Sequence, residues 1–405
     1  MVGKRFIRTL RLENFLSYGS EGEEIELQPL NVLIGPNASG KSNLIEAIGI
    51  LKATPTDLPA PFRQGGGISE FLWKGGQGGQ GNPVAKIEAT LNYPQRSQNQ
   101  NLRYYVNLTS IVQRLELLDE AVENERPYAG SDDVYFYYRY QSGNPVLNIN
   151  KLDDDFNIQR TRTLRREDLI PDQSVLSQRT DPDLYPELSY LSTTFSNIAL
   201  YRDWQMGRYS VPRNAQKPDL PEHPLLEDGS NLGLFLNNLK SKIGHRKIIE
   251  KLKKFYEAAE ELGVIISGGT VQIIIREEGL IQPIPANRLS DGTLRYLFLM
   301  ALLLDPTPPP LICLEEPEIG LHPDILSTIA QMLIEASGRT QIIVTTHSDA
   351  LVSALSEYPE SILICERDEK GSHLRRIEPE KLKNWLEKYT LGDLWRMGEI
   401  GGNRW

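Results

Sequence analysis

The chain has 405 residues and a formal net charge of −10 at pH 7, and 40% of its residues are hydrophobic. This length allows roughly two or three domains around a sizeable core, and the acidic balance argues against a general nucleic-acid coat, although a local basic patch stays compatible with it. The longest apolar run, residues 296–304, is far shorter than a membrane span. The composition therefore predicts a soluble, cytoplasmic protein without a membrane partner.

The first part of the chain predicts short strands around one glycine-rich loop. Residues 6–12 alternate between apolar and charged side chains, and Leu30–Ile34 is an apolar run that ends in glycine, which is typical of a buried strand leading into a loop. A helix is expected over residues 43–52. An antiparallel sheet beside the core is predicted from four strand-like segments, at residues 85–93, 102–108, 134–140 and 146–152.

The middle of the chain differs in composition from both ends. Residues 168–224 are rich in proline, aspartate, serine and tyrosine, which predicts an ordered but irregular insert. Residues 230–262 carry leucines at core spacing and are predicted to be helical. A strand is expected over residues 264–277.

The last part of the chain alternates helices with buried strands. The expected elements are helices at residues 292–304 and 323–337 and apolar strands at residues 311–314 and 341–346. Such alternation predicts a parallel sheet with helices on its faces. Cys313 and Cys365 each lie in an apolar run, so we expect both to be buried, inert thiols in a reducing compartment.

Residues 35–42 form a phosphate-loop motif. They read Gly-Pro-Asn-Ala-Ser-Gly-Lys-Ser, which fits Gly-x-x-x-x-Gly-Lys-Ser/Thr after a strand and before a helix. Lys41 is expected to reach the β- and γ-phosphates of ATP, and Ser42 to ligate Mg²⁺. The predicted nucleotide ligands are Gly35, Pro36, Asn37, Ala38, Ser39, Gly40, Lys41, Ser42 and Asn43.

Charged side chains follow two of the predicted buried strands. Glu315 and Glu316 end one apolar run, and His347 ends the next. We expect Glu315 to hold the metal, Glu316 to act as general base on the attacking water, and His347 to sense the γ-phosphate. Alone, a solvated acid pair and a structural histidine would explain these residues; their order after a phosphate loop favours a catalytic site.

A serine-glycine motif, Leu289-Ser290-Asp291-Gly292-Thr293, precedes the helix predicted at residues 292–304. A serine hydroxyl and a bare glycine backbone at a helix N-terminus are suitable ligands for an anion. The simpler alternative is an ordinary helix cap, in which Ser290 only satisfies the first turn of the helix.

These motifs, in this order, resemble the ABC-type ATPase heads of the SMC, Rad50 and RecF group. They resemble still more closely the bacterial AAA-type ATPases related to the OLD family, and the short stretch after His347 leads us to expect no fused nuclease domain. The resemblance is carried by residues 10–15, 35–42, 289–293, 315–323 and His347. It implies an α/β P-loop head, with a mostly parallel sheet flanked by helices, an antiparallel β subdomain and a helical or irregular insert.

The resemblance divides the chain into three parts. Residues 1–167 would form the N-terminal half of the head, residues 168–263 the insert, and residues 264–405 the C-terminal half. It also implies an Mg²⁺-dependent ATPase that dimerises around ATP, with Ser290 and Gly292 of one copy contacting the γ-phosphate held by the other.

Two positions depart from the pattern of the group, and one glutamine role is open. Asp291 replaces the first of two usual glycines, which places a carboxylate near phosphate, and Glu315 replaces the commoner aspartate. Gln178 is our candidate for the glutamine that senses metal in this group; a plain loop glutamine is the alternative. Phe15 or Tyr18 is the candidate aromatic ring for the adenine, with core packing as the alternative for Phe15.

The resemblance implies a switch or motor in DNA repair and maintenance or in phage defence. Its candidate partners are a second copy, DNA and a separate effector protein. The stretch of seven basic residues within 240–254 could contact nucleic-acid phosphate, or could be a solvated helix face balanced by nearby glutamates. The alternative function is an ATP-gated, protein-binding regulatory module that does not touch DNA.

Overall fold

A computed structural model describes residues 3–75, 83–94, 100–128, 130–141, 144–149, 160–163 and 169–402. Within these ranges the strands form a six-stranded sheet, an eight-stranded sheet and a three-stranded sheet. No helix in the described part of the chain is both long enough and apolar enough to cross a membrane. The predicted boundary between residues 167 and 168 falls within residues 164–168, which lie outside the described residues.

Seventeen strands are found in the described ranges. They are β1 (Ile7–Glu13), β2 (Glu23–Glu26), β3 (Leu30–Ile34), β4 (Ala85–Leu91), β5 (Leu102–Ile111), β6 (Arg114–Asn124), β7 (Phe136–Gln141), β8 (Asn144–Ile149), β9 (Arg160–Thr163), β10 (Ala199–Tyr201), β11 (Ala259–Ser267), β12 (Thr270–Glu277), β13 (Ile284–Pro285), β14 (Leu311–Glu315), β15 (Gln341–Thr345), β16 (Ile362–Asp368) and β17 (Gly371–Arg376).

Twelve α-helices are found in the same ranges. They are α1 (Lys41–Ala53), α2 (Pro59–Gln64), α3 (Ile68–Phe71), α4 (Val175–Gln178), α5 (Pro186–Ser196), α6 (Leu232–Ile243), α7 (His245–Leu252), α8 (Asp291–Leu304), α9 (Leu326–Ser337), α10 (Asp349–Ser353), α11 (Pro379–Leu386) and α12 (Leu391–Met397).

The six-stranded sheet is the centre of the molecule, with strand order β10-β14-β15-β3-β16-β17. Its strands run parallel except β17, which pairs with β16 in antiparallel orientation. β3 and β15 are buried at every position, as expected for parallel strands covered on both faces. Alternate side chains enter two cores, one formed with α8 and α9 and the other with α1 and the eight-stranded sheet. The predicted parallel α/β architecture is confirmed.

One buried glutamine joins the two large sheets. Gln341, at the start of β15, accepts hydrogen bonds from the backbone N–H groups of Phe6 (3.1 Å) and Ile7 (2.8 Å). Its amide donates to the carbonyls of Ile7 (2.8 Å) and Gln28 (3.1 Å). Gln341 is fully buried, so it fixes β1 against the edge of the central sheet where β15 begins.

The eight-stranded sheet is antiparallel, with order β2-β1-β4-β5-β6-β7-β8-β9. The predicted β subdomain is therefore present, but it includes β6, which the sequence analysis did not identify. β6 carries two acids, Glu120 and Glu123, that are almost fully buried. Glu120 accepts hydrogen bonds from Tyr104 (2.8 Å) and from the backbone of Val175 (2.9 Å), and such buried acids interrupt the apolar alternation that marks a strand.

The middle of the chain is less irregular than its composition predicts. β10 lies within the expected insert, yet it pairs in parallel with β14 and belongs to the central sheet. With only three residues, β10 is too short to show a hydrophobic period.

The structure has two helices and the start of a strand where one helix was predicted over residues 230–262. The predicted helix is divided at Gly244, whose φ of 86° starts a new helix, and it ends before β11. β11 and β12 form a hairpin that turns at Gly268 and Gly269, where a single strand was predicted.

The two cysteines occupy the positions expected of them. Cys313 in β14 and Cys365 in β16 are fully buried free thiols. Burial raises the pKa of the Cys365 thiol to about 12 and that of Cys313 even further. Neither is therefore a thiolate at neutral pH, which agrees with a packing role.

Candidate active site

The phosphate loop connects β3 to α1, which begins at Lys41. Gly35 and Gly40 have φ values of 147° and 107°. A Cβ atom would lie 2.2 Å from the carbonyl oxygen of Cys365 at the first position and 2.4 Å from Ser372 Oγ at the second. Both positions therefore require glycine, because the β16–β17 hairpin supports the loop at this distance.

Lys41 is held inside the loop. Its Nζ donates to the carbonyl oxygens of Gly35 and Pro36, each at 2.9 Å, and only 6% of the residue is exposed. The pKa of Lys41 is lowered, because the effect of burial exceeds the opposing effects of nearby Cys365 and Glu316. A phosphate bound in the loop would offer this ammonium a charged partner in place of two carbonyls.

A hydrogen-bonded layer supports the loop from below. The Tyr18 hydroxyl donates to the carbonyl of Gly40 (3.0 Å), and Ser17 Oγ accepts from Asn43 Nδ2 (2.7 Å) and from Ser372 Oγ (2.6 Å). Asn43, a predicted nucleotide ligand, is thus directed toward Ser17. The loop is fixed by β17 and by the turn after β1.

Neither aromatic candidate for the adenine is available. Phe15 and Tyr18 are fully buried, because their rings fill the core beneath the loop. The expected core packing of Phe15 therefore holds, and the adenine role is wrong for Tyr18. The ring that lies near the loop surface is Trp73, which is half-buried. The Arg367 guanidinium carbon lies 5.8 Å from its centroid, and Arg367 Nη1 is 3.5 Å from the carbonyl oxygen of Ala38.

Glu315, at the end of β14, faces the first turn of α1. The pKa of Glu315 is raised, because the effect of burial exceeds the opposing effects of the Arg202 guanidinium and the Ser42 hydroxyl. Its Oε1 is buried without a hydrogen-bond partner in the described part of the chain. Two of the three predicted metal residues, Ser42 and Glu315, therefore meet, and an oxygen-seeking cation such as Mg²⁺ fits the unpartnered carboxylate oxygen.

The described residues contain no group of three or more His, Cys, Asp or Glu side chains arranged to hold a metal on their own.

Glu316 and His347 meet at the neighbouring strand ends. Glu316 has a φ of 44°, an uncommon conformation for a residue other than glycine, and its N–H donates to the carbonyl of Thr345 (3.0 Å). Glu316 Oε1 lies 3.7 Å from His347 Nε2, and both side chains are partly exposed. The pKa of His347 is lowered, because the effects of burial and of the Lys41 charge exceed the opposing effect of the Glu316 and Glu318 carboxylates.

Glu318 is a site residue that the sequence analysis did not assign a role. Its Oε1 accepts from Thr346 Oγ1 (2.6 Å) and from the His347 N–H (2.9 Å). Glu318 therefore fixes the backbone that carries His347. The structure brings Lys41, Glu315, Glu316 and His347 together at one edge of the central sheet.

The serine-glycine motif lies at the N-terminus of α8. Ser290 Oγ accepts from the Thr293 N–H (3.0 Å) and lies 2.8 Å from Thr293 Oγ1, so Ser290 is a helix cap, as the simpler alternative predicts. Ser290 is also exposed and remains accessible to an anion. A Cβ on Gly292 would lie 2.9 Å from the carbonyl oxygen of Gly320, so the motif packs against the segment that follows the acids.

The segment after β10 supplies two further groups, and α8 supplies a third. Arg202 pairs with the carboxylate of Glu46 while its Nε and Nη2 have no partner among the described residues. Trp204 Nε1 donates to the carbonyl of Glu315 (2.5 Å). The Arg295 guanidinium, on α8, lies 5.2 Å from the Trp204 ring centroid and donates to the Trp204 carbonyl (3.2 Å). The apolar run before Arg202 is the only sequence signal for these residues.

The structure does not bring Gln178 to the phosphate loop. Its amide donates to the carbonyls of Gln173 (3.0 Å) and Ser174 (3.3 Å), and its oxygen accepts from the Ile170 N–H (2.7 Å). Gln173 in turn bonds Asp57, beyond the C-terminal end of α1. Because α1 is about 20 Å long, Gln178 lies far from the loop at its other end and fastens its own loop instead.

Three comparisons bear on this arrangement. A family model described as "AAA domain, putative AbiEii toxin, Type IV TA system" matches residues 30–353. The DNA replication and repair protein RecF of Moorella thermoacetica is 31% identical over 160 residues, which are 38% of this chain and 37% of that protein. The match therefore spans little more than a third of the length of that relative.

Solved structures of SMC heads have the same fold. The SMC head bound to the C-winged helix domain of ScpA gives a TM-score of 0.58 at 14% identity, covering 94% of this chain and 100% of that one. The SMC head with an extended coiled coil from Pyrococcus furiosus, bound to the C-terminal domain of ScpA, gives 0.57 at 14% identity, covering 95% and 99%.

The chain has the P-loop fold of SMC heads, and the partial match to RecF agrees with this fold. It belongs to the AAA-domain family whose model matches most of its length.

Proposed function

We propose that the protein binds ATP with Mg²⁺ and hydrolyses it. Lys41 neutralises the β- and γ-phosphates, while Ser42 and Glu315 hold the metal. Glu316 takes a proton from the attacking water, and His347 donates a hydrogen bond to the γ-phosphate. The observation that carries this proposal is the convergence of Lys41, Glu315, Glu316 and His347 at one sheet edge.

The glutamine of the site is better assigned to Gln205 than to Gln178. Gln205 is exposed and follows β10 by four residues, and β10 runs parallel to β14. Both strands therefore end at the same edge of the sheet, which supports a role for Gln205 beside the metal and the attacking water. Trp73, with Arg367, is the proposed platform for the adenine.

We propose further that two copies close around ATP. In this arrangement the exposed Ser290 and the N-terminus of α8 in one copy contact the γ-phosphate bound by the other. The exposed position of Ser290 supports it, because it leaves the N-terminus of α8 at the surface, where a helix N-terminus attracts anions.

The biological role proposed for the closed pair is that of a switch in DNA maintenance or phage defence, acting through DNA, a separate effector protein or both. The relative named for replication and repair supports DNA, and the SMC heads solved with ScpA domains support a protein partner.

The alternative, a regulatory module that does not touch DNA, is supported by the basic stretch. Lys251 pairs with Glu335 (3.0 Å), and Arg246 pairs with Glu250 (2.7 Å). Several charges available to nucleic acid are therefore already neutralised. Salt-dependent DNA binding that is lost in a Lys247→Gln/Lys254→Gln variant would exclude this alternative.

The test of the proposed function uses Glu316→Gln, which should bind ATP without hydrolysing it. Sedimentation velocity with ATP and Mg²⁺ should show a dimer that ADP does not induce, and phosphate release should be lost. Glu380→Gln, on the exposed α11, is the matched control and should hydrolyse ATP like the unmodified chain. A Glu316→Gln protein that stays monomeric with ATP contradicts the dimer, and one with unchanged phosphate release contradicts the assignment of the base.

A further inference from the structure

An almost fully buried arginine is bound to the serine-glycine motif. Arg213 is 6% exposed, whereas its ion-pair partner Asp291 is 65% exposed. The Arg213 guanidinium also donates to the carbonyls of Leu289, Met206 (3.0 Å) and Gly207 (3.2 Å). One side chain thus holds the residue before Ser290 and the residue after it.

The position of Asp291 creates an electrostatic problem for the proposed function. Asp291 is the first residue of α8, between the cap Ser290 and Gly292. A carboxylate there interacts favourably with the positive end of the helix. It would also repel a phosphate that approaches the same end, and neighbouring like charges cost most where water is excluded.

Two guanidinium groups, those of Arg213 and Arg295, interact electrostatically with the Asp291 carboxylate. Of these two, Arg213 forms an ion pair with it. Arg295 lies farther along α8, over the Trp204 ring. The pKa of Arg295 is lowered, because the effect of burial exceeds the opposing effect of the Glu318 and Asp291 carboxylates. Arg213 is therefore the group placed to cancel the negative charge at the point where phosphate would bind.

We propose that Arg213 is a positioning residue that neutralises Asp291, so that the N-terminus of α8 can accept the γ-phosphate bound by a second copy. This inference rests on the proposed ATP-dependent dimer. It assigns to Arg213 the function of making an acidic version of the motif compatible with an anionic ligand. The hydrogen bonds to the carbonyls hold the Arg213 guanidinium in place, and its positive charge neutralises the Asp291 carboxylate.

The experiment separates charge from architecture by comparing three variants in the Glu316→Gln background. Arg213→Gln keeps an amide that can donate to the carbonyls but removes the positive charge. Asp291→Asn keeps the size of the side chain and removes the negative charge, and the third variant combines both. The dimer dissociation constant is measured by sedimentation velocity with ATP and Mg²⁺, and binding of a fluorescent ATP analogue to the monomer serves as the folding control.

We expect Arg213→Gln to weaken the dimer by roughly tenfold or more, and Asp291→Asn to leave it within about threefold of the parent. The combined variant should return close to Asp291→Asn. The defect of Arg213→Gln should also shrink between about 0.1 and 1 M salt, where the Debye length falls from about 10 to about 3 Å. Monomer binding of the ATP analogue should be unchanged, because Arg213 does not contact the phosphate loop.

The opposite pattern overturns the inference. If the ion pair is only a structural tie, Asp291→Asn weakens the dimer as much as Arg213→Gln does, and the combined variant is no better. An Arg213→Gln protein that dimerises like the parent also overturns it. If the Glu316→Gln parent itself stays monomeric with ATP, the proposed dimer fails and the inference fails with it. If the parent dimerises and Arg213→Gln dimerises equally well, only the inference fails.

Discussion

Replacing Gln341 by leucine is expected to loosen the junction between the two large sheets. The glutamine is fully buried and makes four hydrogen bonds, two of them from the N–H groups of Phe6 and Ile7. At about 1 kcal/mol net for each bond the loss is about 4 kcal/mol, of which the apolar leucine offsets about 1 kcal/mol. Local opening of β1 should therefore become easier by about 3 kcal/mol, or about a hundredfold.

Hydrogen exchange read by mass spectrometry measures this opening directly. Peptides that cover residues 4–13 should exchange about a hundredfold faster in Gln341→Leu. Gln331→Leu, on the exposed face of α9, makes the same chemical change without breaking a sheet contact and should leave these peptides unaffected. Acceleration of less than about threefold would refute the reasoning that Gln341 fixes β1.

Three further predictions concern the nucleotide. Trp73→Ala should weaken ATP binding by about tenfold if stacking contributes about 1.4 kcal/mol, while Trp385→Ala should not; equal affinities in titrations with a fluorescent analogue would contradict the base platform. Gln205→Ala should slow phosphate release with ATP binding retained, and Gln178→Ala should leave both unchanged; the reverse result would restore the sequence-based assignment. Because burial and the neighbouring lysine lower the pKa of His347 below its usual 6.5, the ring is neutral at pH 7. A proton gained below pH 6.5 would strengthen its hydrogen bond to the γ-phosphate, so ATP binding should tighten as the pH falls, and His347→Gln should remove this pH dependence in titrations with the fluorescent analogue.

The parts of the site predicted from sequence are those in which a local pattern is sufficient. The phosphate loop is specified by a run of eight residues between an apolar strand and a helix. Glu315 and His347 follow apolar runs of ordinary strand length, and parallel strands deliver their carboxyl ends to the same edge. Each of these inferences needs only the residues beside it and the rule that consecutive βαβ units build one sheet.

The parts that were missed depend on contacts across long stretches of chain. β10 has three residues and is recognisable as a strand only by its pairing with β14, which is why the sequence offered no reason to propose Gln205 beside Gln178. β6 was hidden by Glu120 and Glu123, which are buried with partners from distant parts of the chain, among them Tyr104, Val175 and Arg103.

Asp291 shows the same limit in its simplest form. In the sequence it is a departure from the usual motif that places a carboxylate near phosphate. Its partner, Arg213, lies 78 positions earlier in the chain, in a segment whose composition predicts only irregular structure. No local pattern links the two residues, so the compensation is visible only in the folded chain.

The burial of Cys313 and Cys365 has a practical consequence for spectroscopy. They are the only cysteines in the sequence, and both are enclosed by the central sheet with strongly raised pKa values, so maleimide dyes should not label the native protein. A single cysteine introduced at an exposed position such as Tyr209 could then carry a fluorophore in an otherwise unaltered chain. Energy transfer between donor- and acceptor-labelled copies would then report the proposed closure and release of the dimer in real time.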